Sequence, residues 1–460
     1  IVPKIGDILR LSMPYDEKCD LIEKILILYN AQPNTFEFLQ LKRNLNKTIE
    51  KYKLFSMSEH DYEKYKKIED SLTMPEKKFK PLKYQILDSN MSNTNKAFVY
   101  QKYKYFSTLD NSNSEYNKLK QWLETVMSLP TEMKLMRISS DDSSHKINKY
   151  LWTVKNRLDK EIFGLESVKE KILFLLNNRI TNNNSKGLSF ALCGPPGTAK
   201  TSIINTLSKA IDLPFFQINL GGAKDVSFLS GHGYTYEGAI PGVIVQALTT
   251  LKYKNGIIYF DEFDKISNSL HGIEISRMLL HITDFSQNDK FHDRYLSNGI
   301  DIDLSNIWFI YSLNEKELLD KTLCDRIPII FVDGYDKHEK FQIAQNYIIP
   351  KSLENINLSK KQVIFSDSAI RYIITLSEKN QDKNTKSGVR QIKHIVDNIL
   401  MKINLLKTIF EYKNKSKYNL KLSFDIANFK LPIVITEDII DCLKIDTIIE
   451  ENLSYKNMYM

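Results

Sequence analysis

The sequence predicts a multidomain protein with a helical N-terminal region and an α/β core built on a parallel sheet. Two apolar segments indicate the core: residues 188–193 lead into a glycine-rich turn and a helix, and residues 256–260 end in two adjacent carboxylates. Strands that alternate with helices in this way favour parallel pairing. The length of 460 residues exceeds one typical domain, so further domains must accompany the core.

The turn after the first apolar segment follows the pattern of a phosphate-binding loop. Backbone N–H groups of such a loop converge on a phosphate, and Gly194 and Gly197 leave room for it. We expect Lys200 to reach the β- and γ-phosphates of a nucleotide and Thr201 to bind Mg²⁺ through its hydroxyl. The predicted cofactor-binding residues of the loop are Gly194, Pro195, Pro196, Gly197, Thr198, Ala199, Lys200, Thr201 and Ser202.

One loop position departs from the usual pattern, because Ala199 stands where glycine is common. The methyl group costs nothing if φ is negative at that position, and it strains the loop if φ is positive. Sequence leaves both possibilities open. It also leaves open a strand, turn and helix that bind no ligand.

Residues 1–138 show helical periodicity without a catalytic signature. We expect a helical adaptor or oligomerisation region there. A polar run, Ser-Ser-Asp-Asp-Ser-Ser, then begins a predicted hinge and linker helix over residues 139–160. The large α/β domain is predicted to cover residues 161–333.

An aromatic turn precedes the nucleotide-binding strand. Phe163 is well placed there to contact an adenine base, so Phe163 and Gly164 are predicted to bind the cofactor. The alternative is that Phe163 is an ordinary core residue.

Two adjacent carboxylates follow the phosphate loop by about sixty residues. At the end of a neighbouring strand, Asp261 would hold the water shell of Mg²⁺ and Glu262 would polarise the water that attacks the γ-phosphorus. Asn314, at the end of the apolar segment 307–313, has the amide needed to orient that water. Arg326 precedes another apolar segment and is a candidate for neutralising charge, with a surface ion pair as the alternative.

The order of these motifs resembles the AAA+ superfamily and, within it, the ATPase module of the Lon protease family. The resemblance covers roughly residues 155–445. It is carried by the phosphate loop and by these segments: Phe-Gly-Leu-Glu-Ser-Val-Lys-Glu (163–170), Gly-His-Gly-Tyr-Thr-Tyr-Glu-Gly-Ala-Ile-Pro-Gly (231–242), Phe-Asp-Glu-Phe-Asp-Lys (260–265), Asp-Arg (325–326), Gly-Tyr (334–335), Glu-Lys (339–340), Ile-Pro-Lys (349–351) and Ser-Gly-Val-Arg (387–390).

The resemblance implies ATP and Mg²⁺ as cofactors, with Thr201 and Asp261 as the metal-binding residues. It also implies roles for three polar residues. Asn314 is similar to sensor 1, Arg390 to sensor 2, and Arg326 to the arginine finger that acts on the ATP of a neighbouring subunit. The predicted catalytic residues are therefore Glu262, Asn314, Arg326 and Arg390.

Within the glycine-rich segment 221–242, Tyr236 resembles the aromatic pore-loop residue that grips a threaded polypeptide. The family usually follows that aromatic residue with an aliphatic one, whereas this chain has Glu237. We include both residues in a predicted substrate-binding pore loop. A long, glycine-rich surface loop is commonly functional.

The resemblance further implies a small α-helical lid over residues 334–412. The segment 413–460 then lies where the family's Ser-Lys protease domain would otherwise begin. We find no glycine-flanked serine with a catalytic lysine downstream, so we expect no proteolysis by this chain.

These expectations describe an ATP-dependent, ring-forming protein unfoldase or remodelling motor. Its expected partners are further copies in a hexameric ring, a polypeptide substrate, and a separate protease or adaptor. Two alternatives are a nucleic-acid-dependent motor and a scaffold that uses ATP only to assemble. The net charge of +8 includes 56 acidic residues, which gives little support to a nucleic-acid partner.

The remaining composition excludes few function classes. No apolar run is long enough to span a bilayer, and no signal-peptide pattern begins the sequence, so we expect no membrane partner. Four cysteines lie far apart without a C-x-x-C motif. This favours a reducing intracellular compartment, either the cytoplasm or an organelle matrix.

Overall fold

A computed structural model describes most of the chain. The described residues are 15–30, 38, 41–45, 80–110, 112–182, 186–223, 225–234, 238–266, 270–297, 299–318, 321–378, 387–412, 422–424, 426 and 429–444. The chain divides into two compact units, Ile1–Gln85 and Ile86–Met460. In the first unit, helix α1 (Tyr15–Asn30) buries Leu21, Ile25 and Leu28, whose spacing places them on one helical face.

Three helices follow in the chain: α2 (Leu82–Asp88), α3 (Asn93–Phe106) and α4 (Ser114–Met127). Trp122 of α4 is buried, and its indole N–H donates to the carbonyl oxygen of Tyr295 at 3.2 Å. Its ring also meets Phe98 of α3 edge-on, with 6.1 Å between the ring centroids. Within the larger unit, these contacts pack α3 and α4 together and hold α4 against the segment around Tyr295, because a buried indole N–H normally needs an acceptor.

The predicted linker helix is α5 (Ser144–Glu161), and α6 (Glu166–Thr181) follows it. Ser143 caps α5 by accepting from the backbone N–H of Lys146. Lys169 of α6 is buried and donates to the carboxylate of Asp159 at 2.7 Å and to the carbonyl of Ile162 at 2.8 Å. Glu166 accepts a third, longer bond at 3.4 Å, and this buried, paired ammonium group holds the two helices together.

The predicted parallel sheet is confirmed. Its strands are β1 (Ser189–Cys193), β2 (Phe215–Asn219), β3 (Gly256–Asp261), β4 (Ile307–Leu313) and β5 (Ile329–Phe331). Their order across the sheet is β2-β3-β4-β1-β5, and every pair is parallel. All residues of β1 and β4 are buried, as expected for strands covered on both faces.

Helices connect these strands: α7 (Lys200–Ile211), α8 (Ser227–Ser230), α9 (Val243–Leu251), α10 (Leu270–Thr283) and α11 (Lys321–Arg326). Because the sheet is parallel, the turns that follow β1, β3 and β4 meet at one edge. This edge carries most of the predicted site residues. No helix among the described residues is both long and apolar enough to cross a membrane.

The elements from residue 335 onwards share a hydrophobic core of their own. They are α12 (Lys337–Ile343), a π-helical turn (Ala344–Ile348), α13 (Ile349–Asn355), β6 (Val363–Phe365), α14 (Asp367–Glu378), α15 (Arg390–Tyr412), β7 (Ile433–Ile435) and α16 (Glu437–Cys442). We call the described residues from 335 to 444 the lid. Strand β7 pairs with β6, so residues 429–444 pack with the helices that precede residue 412. The predicted domain boundaries themselves stay predictions.

The glycine-rich segment 221–242 is tied together near its end by a buried carboxylate. Asp293 accepts from the backbone N–H of Gly242 at 2.9 Å, and burial raises the pKa of this carboxyl to about 6. A Cβ atom at Gly242 would lie 2.1 Å from the carbonyl oxygen of Leu229. The backbone at these two positions therefore approaches so closely that only glycine fits at residue 242. The predicted pore-loop residues Tyr236 and Glu237 lie outside the described residues.

Candidate nucleotide-binding site

The phosphate loop occupies the turn between β1 and α7, as the sequence predicts. Lys200 is buried at the start of α7. Its amine donates to the carbonyl oxygens of Gly194 and of Pro195, the latter at 3.1 Å, and to Oδ1 of Asn314 at 3.0 Å. Burial lowers the pKa of this amine, and nearby carboxylates, Asp264 first among them, oppose the shift. The lysine therefore points into the loop, where phosphates would meet it.

The backbone at Ala199 decides between the two possibilities that sequence left open. Its φ is 63° and its ψ is 20°, which is the left-handed region. An alanine is strained in that region, because its Cβ crowds the following carbonyl oxygen. Helix α7 stabilises this strained conformation, because the backbone N–H of Ile203 donates to the carbonyl oxygen of Ala199 at 2.9 Å as the first bond of the helix.

The two predicted metal-binding residues, Thr201 in α7 and Asp261 in β3, line the same cavity. The hydroxyl of Thr201 lies 3.1 Å from that of Tyr259 in β3, and Asp261 ends the same strand. Asp261 is held by both neighbouring strands, since its carboxylate accepts from Ser312 of β4 and, at 3.0 Å, from Gln217 of β2. One hydroxyl and one carboxylate suit Mg²⁺, which prefers oxygen ligands and takes the rest from water and phosphate.

Among the described residues, no three His, Cys, Asp or Glu side chains converge on one point. At the phosphate loop, the predicted protein ligands are one hydroxyl and one carboxylate. A cation bound there would depend on nucleotide oxygens for the rest of its ligands. Binding of Mg²⁺ by Thr201 and Asp261 stays a prediction.

Glu262 lies immediately after β3 in a left-handed backbone conformation, with φ of 57°. A Cβ atom at Gly221 would lie 2.0 Å from Oε2 of Glu262, so glycine at that position leaves the space the carboxylate occupies. Asp264 is buried nearby and accepts from the backbone N–H of Asn314 at 3.1 Å. Within the described part of the chain, the other oxygen of Asp264 has no hydrogen-bond partner.

These residues line one cavity of about 310 Å³ at the carboxyl edge of the sheet. Three of the four predicted catalytic residues, Glu262, Asn314 and Arg390, are among its lining residues. The loop residues that line it are Pro196, Gly197, Thr198, Ala199, Lys200, Thr201 and Ser202, together with Asp261. The cavity therefore unites the predicted phosphate, metal and water-activating groups.

A second cavity of about 290 Å³ shares Ala199 and Ser202 with the first. Phe163 lines it, and its ring meets Tyr347 edge-on with 6.4 Å between centroids. Phe163 also packs against the lid core. Its side chain therefore lines a cavity, as a base-binding residue would, and contacts a core, as the alternative predicts. An aromatic pocket beside the phosphate loop has the chemistry that an adenine ring needs.

Arg390 reaches the cavity because the lid touches the phosphate loop directly. A Cβ atom at Gly197 would lie 2.8 Å from Cβ of Arg390 and 2.9 Å from its backbone nitrogen. The φ of Gly197 is 80°, a second reason for glycine at this position. The loop and the first turn of α15 are therefore in backbone contact.

Arg326 lies outside this cavity. Its guanidinium donates to the carboxylate of Asp284 at 3.1 Å, and the arginine side chain is 52% exposed. Hydrogen bonds from Ser286 lower the pKa of Asp284, and the charge of Arg326 adds to that shift. The alternative of a surface ion pair describes this geometry, while a finger role on a second subunit stays a prediction.

Comparison with known proteins agrees with this geometry. Residues 190–335 match the model of the ATPase family associated with various cellular activities (AAA). The chain is 32% identical to a Lon protease of Lachnoclostridium phytofermentans over 87% of this chain and 47% of that protein. It is 31% identical to a Lon protease of Clostridium acetobutylicum over 94% of this chain and 52% of that protein. The chain contains an AAA-family domain and is related to Lon proteases.

A similar match comes from a eukaryote. The mitochondrial Lon protease homolog 1 of Dictyostelium discoideum is 31% identical over 86% of this chain and 41% of that protein. The chain spans about half the length of these three relatives. Its sequence-predicted family and fold class are confirmed, and the roles of individual site residues stay predictions.

Sequence analysis missed several groups that hold the site together. Tyr259, Ser312 and Gln217 all contact Thr201 or Asp261, and Asp264 holds the backbone of Asn314. Three of them are polar residues within strands. A polar residue in an otherwise apolar strand indicates a site when a neighbouring strand ends in a carboxylate. Their register could not be known without the strand order.

The strain at Ala199 generates a prediction with an unusual sign. Ala199→Gly should raise the free energy of unfolding by about 0.5 kcal/mol, because relief of the left-handed strain exceeds the added flexibility of glycine. Chemical unfolding followed by circular dichroism measures the change. The matched control is Ala210→Gly in α7, which should lower stability by about 1 kcal/mol because that position is ordinary helix. Equal losses for both variants would contradict strain at Ala199.

Proposed function

We propose that this AAA ATPase hydrolyses ATP as part of a ring that remodels or unfolds protein substrates. One observation carries the proposal: a single cavity contains the lysine, the carboxylates and the sensor-like residues that ATP hydrolysis needs. Arg326, the predicted finger, lies outside that cavity with a half-exposed side chain. This supports a site that is completed by a second copy of the chain.

In this proposal the phosphate loop binds ATP. Backbone N–H groups from Gly197 to Lys200 would surround the phosphates, and the amine of Lys200 would exchange its carbonyl partners for phosphate oxygens. Magnesium held by Thr201 and Asp261 would supply positive charge to the β- and γ-phosphates. The partners of Asp261 on both neighbouring strands support this role, since they fix its carboxylate before any ligand arrives.

Glu262 is proposed to take a proton from the attacking water, with Asn314 orienting that water. Gly221 supports this role, because any Cβ at that position would displace the carboxylate of Glu262 from its place at the cavity wall. The amide of Asn314 already bonds Lys200 at 3.0 Å, so it reaches the phosphate region. Arg390 is proposed to contact the γ-phosphate from the lid side.

A hexameric ring would place Arg326 of one subunit beside the ATP of the next. The exposed ion pair with Asp284 supports this, because a surface pair contributes little stability and can be exchanged for a phosphate contact. The proposed substrate is a polypeptide gripped by Tyr236 and Glu237. The relation to Lon proteases supports a protein substrate over a nucleic acid.

We also propose that these 460 residues do not cleave peptides by themselves and that a separate protease or adaptor acts with them. The lack of a recognisable Ser-Lys pair in the sequence supports this. We propose a reducing intracellular compartment on the spacing of the four cysteines.

Complementation between two inactive variants tests the shared site. Glu262→Gln and Arg326→Ala should each bind ATP and each lower turnover by about a hundredfold, because one removes the base and the other the finger. In an equimolar mixture, about a quarter of the interfaces pair an intact Glu262 with an intact Arg326, so turnover should recover to about that fraction. Steady-state phosphate release measures it.

Glu354→Gln is the matched control, since it removes an exposed carboxylate far along the chain and should leave turnover unchanged. Full activity of Arg326→Ala alone would contradict the finger role. A mixture as inactive as its components would contradict a site shared between subunits.

A folded fluorescent protein with an unstructured tail tests the remodelling activity. With ATP, its fluorescence should fall while gel electrophoresis shows it at full length, because unfolding occurs without peptide cleavage. Glu262→Gln should leave the fluorescence unchanged. ATP-dependent fragments would contradict the absence of peptidase activity, and constant fluorescence during rapid ATP hydrolysis would contradict unfolding of the reporter.

A further inference from the structure

Lys340 in the lid is a buried charged residue that lines neither cavity of the nucleotide site. Its side chain is 3% exposed. The amine donates to Oε1 of Glu378 at 2.8 Å and to the hydroxyl of Ser387 at 2.9 Å. One ammonium group thus joins α12, the end of α14 and the segment that leads into α15. Lysine is rarely buried unless its charge is paired in this way.

The segment 387–390, which we call the strap, continues from Ser387 onto the phosphate loop. Val389 donates its backbone N–H to the carbonyl of Gly197 at 3.1 Å. A Cβ atom at Gly388 would lie 2.3 Å from the carbonyl oxygen of Pro196 and 2.4 Å from the carbonyl carbon of Gly197. Backbone therefore lies directly on backbone, and no side chain intervenes to absorb a displacement.

The strap is also fixed on its lid side by more than one bond. The backbone N–H of Tyr335 donates to the carbonyl of Ser387 at 3.2 Å, next to the bond from Lys340 to the Ser387 hydroxyl. Arg390 follows three residues later as the first residue of α15 and lines the phosphate cavity. A small shift of the strap would move this guanidinium relative to any phosphate in the loop.

We propose that Lys340 is a positioning residue of the nucleotide site, which holds the strap against the phosphate loop so that Arg390 meets the γ-phosphate. This inference rests on the proposed function, since it assigns a γ-phosphate contact to Arg390. Lys340 lines neither cavity. Its largest effect falls on nucleotides that carry the group Arg390 contacts, so ATP loses more affinity than ADP.

A neighbouring lysine separates this role from general support of the lid. Lys337, on the same helix, pairs with the other oxygen of Glu378 at 3.6 Å, but its side chain is 78% exposed and it makes no bond to Ser387. Lys337→Met therefore removes a lysine from the same carboxylate without releasing the strap. Lys340→Met leaves Glu378 paired with Lys337, so the variant does not strand a buried charge.

The experiment measures the affinities of ATP and ADP by displacement of a fluorescent nucleotide, in full-length chains that also carry Glu262→Gln so that ATP persists. Arg390→Ala should reduce the preference for ATP over ADP about tenfold, since it removes a charge-assisted hydrogen bond. Lys340→Met should reduce the same preference by about three- to tenfold, with a smaller loss of ADP affinity than of ATP affinity. Lys337→Met should match the parent.

A double variant distinguishes positioning from an independent effect. If Lys340 acts through Arg390, adding Lys340→Met to Arg390→Ala should cause no further loss of ATP affinity. Ser387→Ala removes only the hydroxyl that Lys340 holds and should lower the preference about threefold, which keeps the test available if Lys340→Met does not fold.

Three results would overturn the inference: equal weakening of ATP and ADP by Lys340→Met, no effect of both Lys340→Met and Ser387→Ala, or full additivity with Arg390→Ala. Nucleotide binding is measured without turnover here, so a chain that binds ATP as described but never hydrolyses it would count against the proposed function alone. Melting temperatures recorded for each variant show that lost preference is not lost folding.

Discussion

Parallel pairing of β1, β3 and β4 in register is the constraint on which the nucleotide site depends. Cys193 pairs with Leu313 and Phe260 with Tyr311, so the three strands end at nearly the same level. The residues at the ends of these strands therefore lie at one edge of the sheet. They are the phosphate loop after β1, the carboxylates at the end of β3, and the amide of Asn314 after β4. A slip of register by one residue would turn these side chains to the opposite face of the sheet.

The site also concentrates backbone strain. Ala199 and Glu262 are non-glycine residues in the left-handed region, with φ of 63° and 57°, and both line the phosphate cavity. Such conformations cost free energy and persist where the surroundings over-determine them. At Ala199 the helix behind it and the lid above the loop supply that constraint, since Gly197 and Arg390 are in backbone contact. The contact between the lid and the phosphate loop therefore helps to maintain the strained backbone at Ala199.

Sequence predicted the parts of the fold that depend on local pattern. The phosphate loop, the strand ending in Asp261 and the helices of the lid follow from spacing, periodicity and resemblance, and the structure has them. The network of Lys340, Glu378 and Ser387 could not be predicted, because it joins residues up to 47 positions apart through tertiary packing. The conformation of Ala199 was also undecided, since alanine identity does not fix φ.

The central claim, ATP hydrolysis coupled to a polypeptide substrate, is tested most directly by the ATP turnover of the unmodified chain with and without a permanently unfolded protein such as casein. The account predicts a several-fold rise with casein and none with single-stranded DNA, at low and at physiological salt. A salt-sensitive rise with DNA and no response to casein would contradict it, because phosphate contacts weaken steeply as salt is added.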